Sequence, residues 1–155
     1  MENIVKQIHK ILLKIGKTIA VAESCTGGLL CGLLTQNSGS SAYFILGVVA
    51  YNNKVKKSIL GISASLLKKN GTVSSPVARA MAKSIRKIAK TDFGIGVTGI
   101  AGPSGKTPSK PVGTVFISVT AKNKTICKKF HFTGNRLSVR KKSASKALEL
   151  LKALL

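Results

Sequence analysis

Ile4, Val5, Ile8, Ile11, Leu12 and Ile15 recur three and four residues apart. That spacing puts them on one face of a helix, and Gly16 supplies its stop. The next apolar run, Thr18 to Glu23 (TIAVAE), is short and does not alternate with polar residues, as expected of a strand buried on both faces. Ser24 to Gly28 is a turn of small residues leading into a helix from about Leu29 to Leu34. After the polar loop Asn37 to Ser41, Tyr43 to Tyr51 (YFILGVVAY) is rich in β-branched and aromatic residues and reads as a second strand. Asn52 to Leu60 returns to helix. Ser63 is placed to cap a short helix ending near Gly71, and Ser75-Pro76 opens a longer one running to about Lys90.

Phe93 to Thr98 (FGIGVT) reads as a third strand, followed by a long loop, Gly99 to Pro111, rich in Gly, Pro, Ser and Lys. A loop of that length in a compact domain is more often functional than a simple connector. Val112 to Thr120 and Thr125 to Phe132 alternate with period two around Ala121 to Lys124, a hairpin pattern. The chain closes with a helix from about Arg136. Strands interleaved with helices and then a hairpin predict an α/β fold, a single three-layer α/β/α domain with a mixed sheet over residues 1–155. No internal repeat is present.

Composition narrows the class. A hydrophobic fraction of 44% and a mean hydropathy of +0.22 exclude wholesale disorder. No apolar run approaches the ~20 residues that cross a bilayer, and the amino terminus alternates Lys with apolar residues instead of building a signal-peptide core, so the expected location is cytoplasmic, with no membrane partner. Cys25, Cys31 and Cys127 are odd in number and lack C-x-x-C spacing, which indicates reduced thiols, not a disulfide framework or a zinc site. No metal and no cofactor are expected. The net charge is +22, from 26 basic and 4 acidic residues. Only Arg79, Arg86, Arg136 and Arg140 are arginines and the lysines are spread along the sequence, whereas base-reading and bidentate phosphate contacts favour Arg. Nucleic acid is therefore disfavoured as a partner, while a positive potential would still attract a phosphorylated substrate.

The chemistry-bearing residues cluster at the first turn. Ser24-Cys25-Thr26-Gly27-Gly28 lies between a buried strand and a helix, where free amides favour a phosphate or a developing oxyanion. It matches neither the dinucleotide fingerprint nor the Walker pattern, and Ser24 or Thr26 could simply cap the helix. A serine nucleophile needs a base. His9 and His131 have no acid placed to orient them, so a Ser-His-Asp triad is disfavoured. A buried lysine of depressed pKa can serve, and Lys54, Lys56 and Lys57 follow Tyr51 at the end of the second strand. If that strand runs parallel to the first, its carboxyl end meets the Ser24 turn, where open α/β sheets gather ligands. Spacing does not choose among the three lysines. Cys25, a thiol near a helix amino terminus, is the rival nucleophile.

Taken together, AESCTGG (Ala22 to Gly28), GVVAYNNKVK (Gly47 to Lys56), GTVSSPVARAMA (Gly71 to Ala82), VTGIAGPSG (Val97 to Gly105) and KPVGTV (Lys110 to Val115) resemble the CinA carboxy-terminal domain family. The resemblance covers nearly the whole chain. It implies nicotinamide mononucleotide deamidation by a stand-alone amidohydrolase, giving nicotinate mononucleotide and ammonia. It also implies catalytic Ser24, Tyr51 and Lys56, with Ser24 attacking the carboxamide, or positioning it for water, while Lys56 and Tyr51 handle protons and turn amides hold the oxyanion. Substrate-binding residues by the same resemblance are Thr26, Gly27, Gly28, Asn53, Thr98, Gly99, Gly102 and Lys110. Arg136 and Arg140 are the candidates for the phosphate. A homo-oligomer is expected. The alternative class is a non-catalytic, nucleic-acid-associated module linked to competence or DNA damage. Ser38, Ser75-Pro76, Lys106 and Asn135 depart from the family pattern, all outside the Ser24, Tyr51 and Lys56 trio.

Overall fold

The computed structural model describes residues 1–155. Helix α1 (Glu2–Ile15) buries Val5, Ile8 and Leu12 and ends at Gly16, whose left-handed φ of 61° lets its amide close on the Leu12 carbonyl. Strand β1 (Ile19–Glu23) is buried at all 5 positions. Helix α2 spans Leu29–Thr35 and strand β2 spans Phe44–Val49. Between them, the stretch expected as loop contains a 3-10 turn, Ser40–Ala42. Strand β2 is shorter than the apolar run suggests. Tyr43 lies before it, buried, with its hydroxyl donating to the Leu34 carbonyl, and Ala50 and Tyr51 leave the ladder after it.

Helix α3 (Asn53–Ser58) is capped by the Asn52 side chain and α4 (Ala64–Asn70) by Ser63. Helix α5 (Ser75–Ala89) begins with Pro76 in its first turn, and its N-cap is Ser74. Strands β3 (Phe93–Gly99), β4 (Thr114–Thr120) and β5 (Thr125–His131) and helix α6 (Arg136–Lys152) complete the chain. The hairpin strands are shorter than predicted because Gly113 and Phe132 pair across the opening as a turn.

The sheet order is β2-β1-β3-β4-β5. Strand β1 runs parallel to both β2 and β3, and the hairpin adds antiparallel strands to the β3 side, so the sheet is mixed as expected. Helices α1, α2 and α6 cover one face over Ile19, Val21, Ile95, Val97, Ile117 and Val119. Helix α5 covers the other over Ala20 and Ala22, through Val77, Met81 and Ile85. Burying one Ile or Leu side chain contributes roughly 1.5–3 kcal/mol, so these two layers supply most of the driving force. On the α5 face, Gly96 has no alternative. A Cβ there would stand 2.3 Å from the Ala78 carbonyl oxygen and 2.6 Å from the Ala82 nitrogen, so glycine lets the helix lie directly on the strand.

The consequence for function is positional. Both parallel neighbours of β1 bring their carboxyl ends to it, since Glu23 pairs on one side with Val49, the last residue of β2, and on the other with Val97, two residues before β3 ends. The carboxyl ends of three strands therefore converge on Ser24.

Candidate active site

Ser24 follows Glu23 directly, and its amide donates to the Val97 carbonyl at 3.0 Å. On the other side, the Ala50 amide donates to the Glu23 carbonyl at 2.8 Å, holding the β2 exit against the turn. Six residues on, α3 turns the Lys56 side chain inward. Lys54 and Lys57 are exposed, whereas Lys56 is only 2% exposed. Its Nζ donates to the Ala50 carbonyl at 2.7 Å and to Ser24 Oγ at 3.4 Å. No carboxylate pairs with it, and burial depresses its pKa below the ordinary lysine value, favouring the neutral amine. The three lysines left equivalent by spacing are thus separated by geometry, and Lys56 is the one at the serine.

Burial also separates the two nucleophile candidates. Cys25 lines the same cavity but is 5% exposed, and burial pushes its thiol up to about 12. It remains protonated at neutral pH, so the activation expected of a thiolate at a helix terminus is absent.

The helix terminus itself differs from expectation. The Leu30 and Cys31 amides of α2 donate to the Glu23 side-chain oxygens at 3.3 and 3.1 Å, so the first turn of the helix is already occupied by a buried acceptor of the chain's own. Neither Ser24 nor Thr26 caps it. The N-cap is Gly28, and Thr26 Oγ1 is buried without a partner. The turn amides of Thr26 and Gly28 donate to no backbone or side-chain acceptor.

A cavity of about 310 Å³ opens over this turn. Among the residues expected to bind substrate or act in catalysis, Ser24, Tyr51, Asn53, Lys56, Thr98, Gly99, Gly102 and Arg136 line it. Arg136 bridges its rim, donating through Nη1 to the Gly102 carbonyl at 2.7 Å and through Nη2 to the Tyr51 hydroxyl at 2.6 Å. Tyr51 is 57% exposed, so this bond, not burial, holds its ring at the mouth. The Thr98 hydroxyl donates to the Thr72 carbonyl and ties the floor to the segment before α5.

Thr26, Gly27, Gly28, Lys110 and Arg140 do not line the cavity. Arg140 was a candidate for phosphate; instead its Nε and Nη2 both donate to the Thr26 carbonyl, at 3.0 and 2.8 Å, and Nη2 reaches the Gly27 carbonyl at 3.4 Å. Its guanidinium fork is spent holding the turn from behind. Gly27 has a φ of 59°, and a Cβ there would lie 3.3 Å from Arg140 Nη2, so a side chain would press on that clamp. Lys110 donates to the Asn70 carbonyl and pins the long loop to the end of α4. Its pocket of about 420 Å³ adjoins the first, sharing Thr72, Val73, Ile100 and Gly105.

Two features of the site were missed from sequence. Glu23 carried a signal, being one of only 4 acids in the chain and placed just before the turn. Arg140's contacts are backbone carbonyls, which leave no side-chain pattern to find.

The pattern that defines the CinA C-terminal domain matches residues 1–155. A CinA-like protein of Anaeromyxobacter dehalogenans is 49% identical over 140 residues, covering 90% of this chain and 34% of that protein. A CinA-like protein of Thermotoga neapolitana is 44% identical over 151 residues, covering 97% of this chain and 37% of that protein. The chain thus spans little more than a third of the length of these relatives. Among solved structures, the competence/damage inducible protein CihA of Agrobacterium tumefaciens superposes with a TM-score of 0.96 at 36% identity, covering 99% of this chain and 94% of that one. A competence or damage-inducible protein of Enterobacter asburiae gives 0.94 at 32% identity, covering 99% and 98%. The chain belongs to the CinA C-terminal domain family.

Proposed function

We propose that this domain is an amidohydrolase that converts nicotinamide mononucleotide to nicotinate mononucleotide and ammonia. The observation that carries the reading is the buried Lys56 amine, without an acidic partner, 3.4 Å from Ser24 Oγ in an open cavity. The substrate follows from the activity characterised in the family that the chain resembles.

In its neutral form, Lys56 accepts the Ser24 hydroxyl proton as Oγ bonds to the carboxamide carbon. Negative charge gathers on the carboxamide oxygen, and the amide of Cys25, a residue that lines the cavity, donates to no backbone acceptor and is the donor that the turn has left for it. The Lys56 ammonium returns its proton to the departing nitrogen and ammonia leaves, with an ester on Ser24. Water then adds to the ester carbon, losing a proton to Lys56. The acid departs as the proton passes back to Ser24. Tyr51 and Arg136 sit at the rim, where the guanidinium attracts the mononucleotide phosphate.

The test is mass-spectrometric. Purified protein incubated with nicotinamide mononucleotide and no added metal should yield the heavier acid together with ammonia, and Ser24→Ala should yield neither. A folded wild-type sample that leaves the amide intact would overturn the reading.

A further inference from the structure

The proposed reaction uses Lys56 and Arg136 and leaves most of the chain's +22 charge without a role. In sequence the lysines are dispersed, but the fold gathers some of them. Lys83, Arg86 and Lys87 near the end of α5 are three and four residues apart and share one side of the helix. Facing them, the tip of the β4–β5 hairpin contributes Lys122 and Lys124. Between helix and hairpin runs a groove of about 460 Å³ with no apolar residue in its lining. It lies at the end of the sheet opposite Ser24, since Thr120 pairs with Gly94 while Val115 pairs with Gly99.

The walls are held and the charges are free. Thr120 and Thr125 hydroxyls bond at 2.6 Å across the hairpin, and Arg86 Nε donates to the Asp92 carbonyl at 2.9 Å. Lys83, Lys87, Lys122 and Lys124 are exposed. No acid lines the groove: Asp92 bonds Lys17 and Thr18, Glu23 is buried, Glu149 pairs with Lys146, and Glu2 is on α1. Like charges gathered without a counter-charge repel, and a bound polyanion relieves that repulsion.

The lining selects the polyanion. It offers no aromatic or apolar platform on which an unpaired base could stack. Lysines are point charges suited to phosphates irrespective of base. From Lys83 to Lys87 the helix rises about 6 Å, and duplex DNA presents one charge per about 1.7 Å of its axis. We infer that this groove seats the phosphate backbone of double-stranded nucleic acid without reading its sequence. The arginine preference that disfavoured nucleic acid at the level of sequence concerns base readout and bidentate phosphate forks, whereas a lysine meets a phosphate as a single point charge.

Fluorescence anisotropy of the full chain with a labelled mixed-sequence duplex, titrated over a range of salt, tests this. The triple variant Lys83→Gln, Lys87→Gln, Lys122→Gln should bind about 10-fold or more weakly at low salt. Each lost contact flattens the slope of log K against log salt by about 0.9, so three flatten it by about 2.7. A control with equal charge removed, Lys6→Gln, Lys10→Gln, Lys14→Gln on the exposed side of α1, should stay within about twofold of wild type. Matching melting curves establish that both variants are folded. Equal loss in the two variants, absence of salt-dependent binding, or stronger competition by single-stranded DNA or inorganic polyphosphate than by unlabelled duplex would each overturn the inference.

Discussion

The two ends of the sheet use positive charge in opposite ways. At the carboxyl ends of β1, β2 and β3, one lysine is 2% exposed and acts through its burial, because desolvation favours a neutral amine that can take a proton. At the other end, Lys83, Lys87, Lys122 and Lys124 are exposed, and whatever they do they do by number. On the proposed readings, the same residue type is a base in one place and a counterion in the other. What differs is the packing around Nζ, and that difference predicts distinct responses to substitution, pH and salt.

The largest effect should come from the buried end. Ser24→Ala is expected to lower turnover of nicotinamide mononucleotide by about 1,000-fold or more, with unchanged circular dichroism. Lys56→Met should lose a similar factor while raising Tm by about 2–4 °C, because an apolar isostere removes an uncompensated buried amine. A scanning-calorimetry trace in which Lys56→Met melts well below wild type would show that the amine stabilises the fold instead.

Stability should follow pH with the sign set by the same burial. Below its ordinary value of 10.5, Lys56 binds a proton more readily in the unfolded chain than in the folded one. Stability therefore rises with pH between the depressed folded value and about 10.5, by up to about 1.4 kcal/mol per pH unit. Chemical denaturation at several pH values should show this rise in wild type and not in Lys56→Met.

A smaller loss is expected behind the turn. Arg140→Ala frees the Thr26 and Gly27 carbonyls, and turnover should fall about 10–100-fold in kcat with little change in KM, since no substrate contact is removed. A change confined to KM would instead place Arg140 on the substrate. Smallest of all, Lys83→Gln with Lys87→Gln should leave kcat/KM within about twofold, because the groove and the cavity lie at opposite ends of β3.

The same contrast explains what could be read in advance. The stripe ending at Gly16, the apolar run of β1 up to Glu23 and the alternating hairpin are local patterns, and each formed the expected element, the hairpin strands one or two residues short. Lys56 was legible only in part. An apolar residue at position 60, four residues on, was the signal that position 56 faces inward, although α3 itself ends at Ser58. Strand ends were less clear, since Tyr43 and Tyr51 satisfy β propensity yet leave the ladder to bond Leu34 and Arg136. Arg140 and the basic groove were not legible at all. One bonds backbone carbonyls 113 and 114 positions away, and the other assembles from a helix and a hairpin that are adjacent only after folding.

The account turns on the neutral Lys56 amine accepting the Ser24 proton, and kcat/KM for nicotinamide mononucleotide measured against pH in wild type and Lys56→Met addresses it most directly. Wild-type activity should climb with pH along a limb whose midpoint lies below 10.5, and the variant should show neither the limb nor appreciable turnover. Wild-type rates in Lys56→Met, or an unshifted limb that survives the substitution, would contradict it.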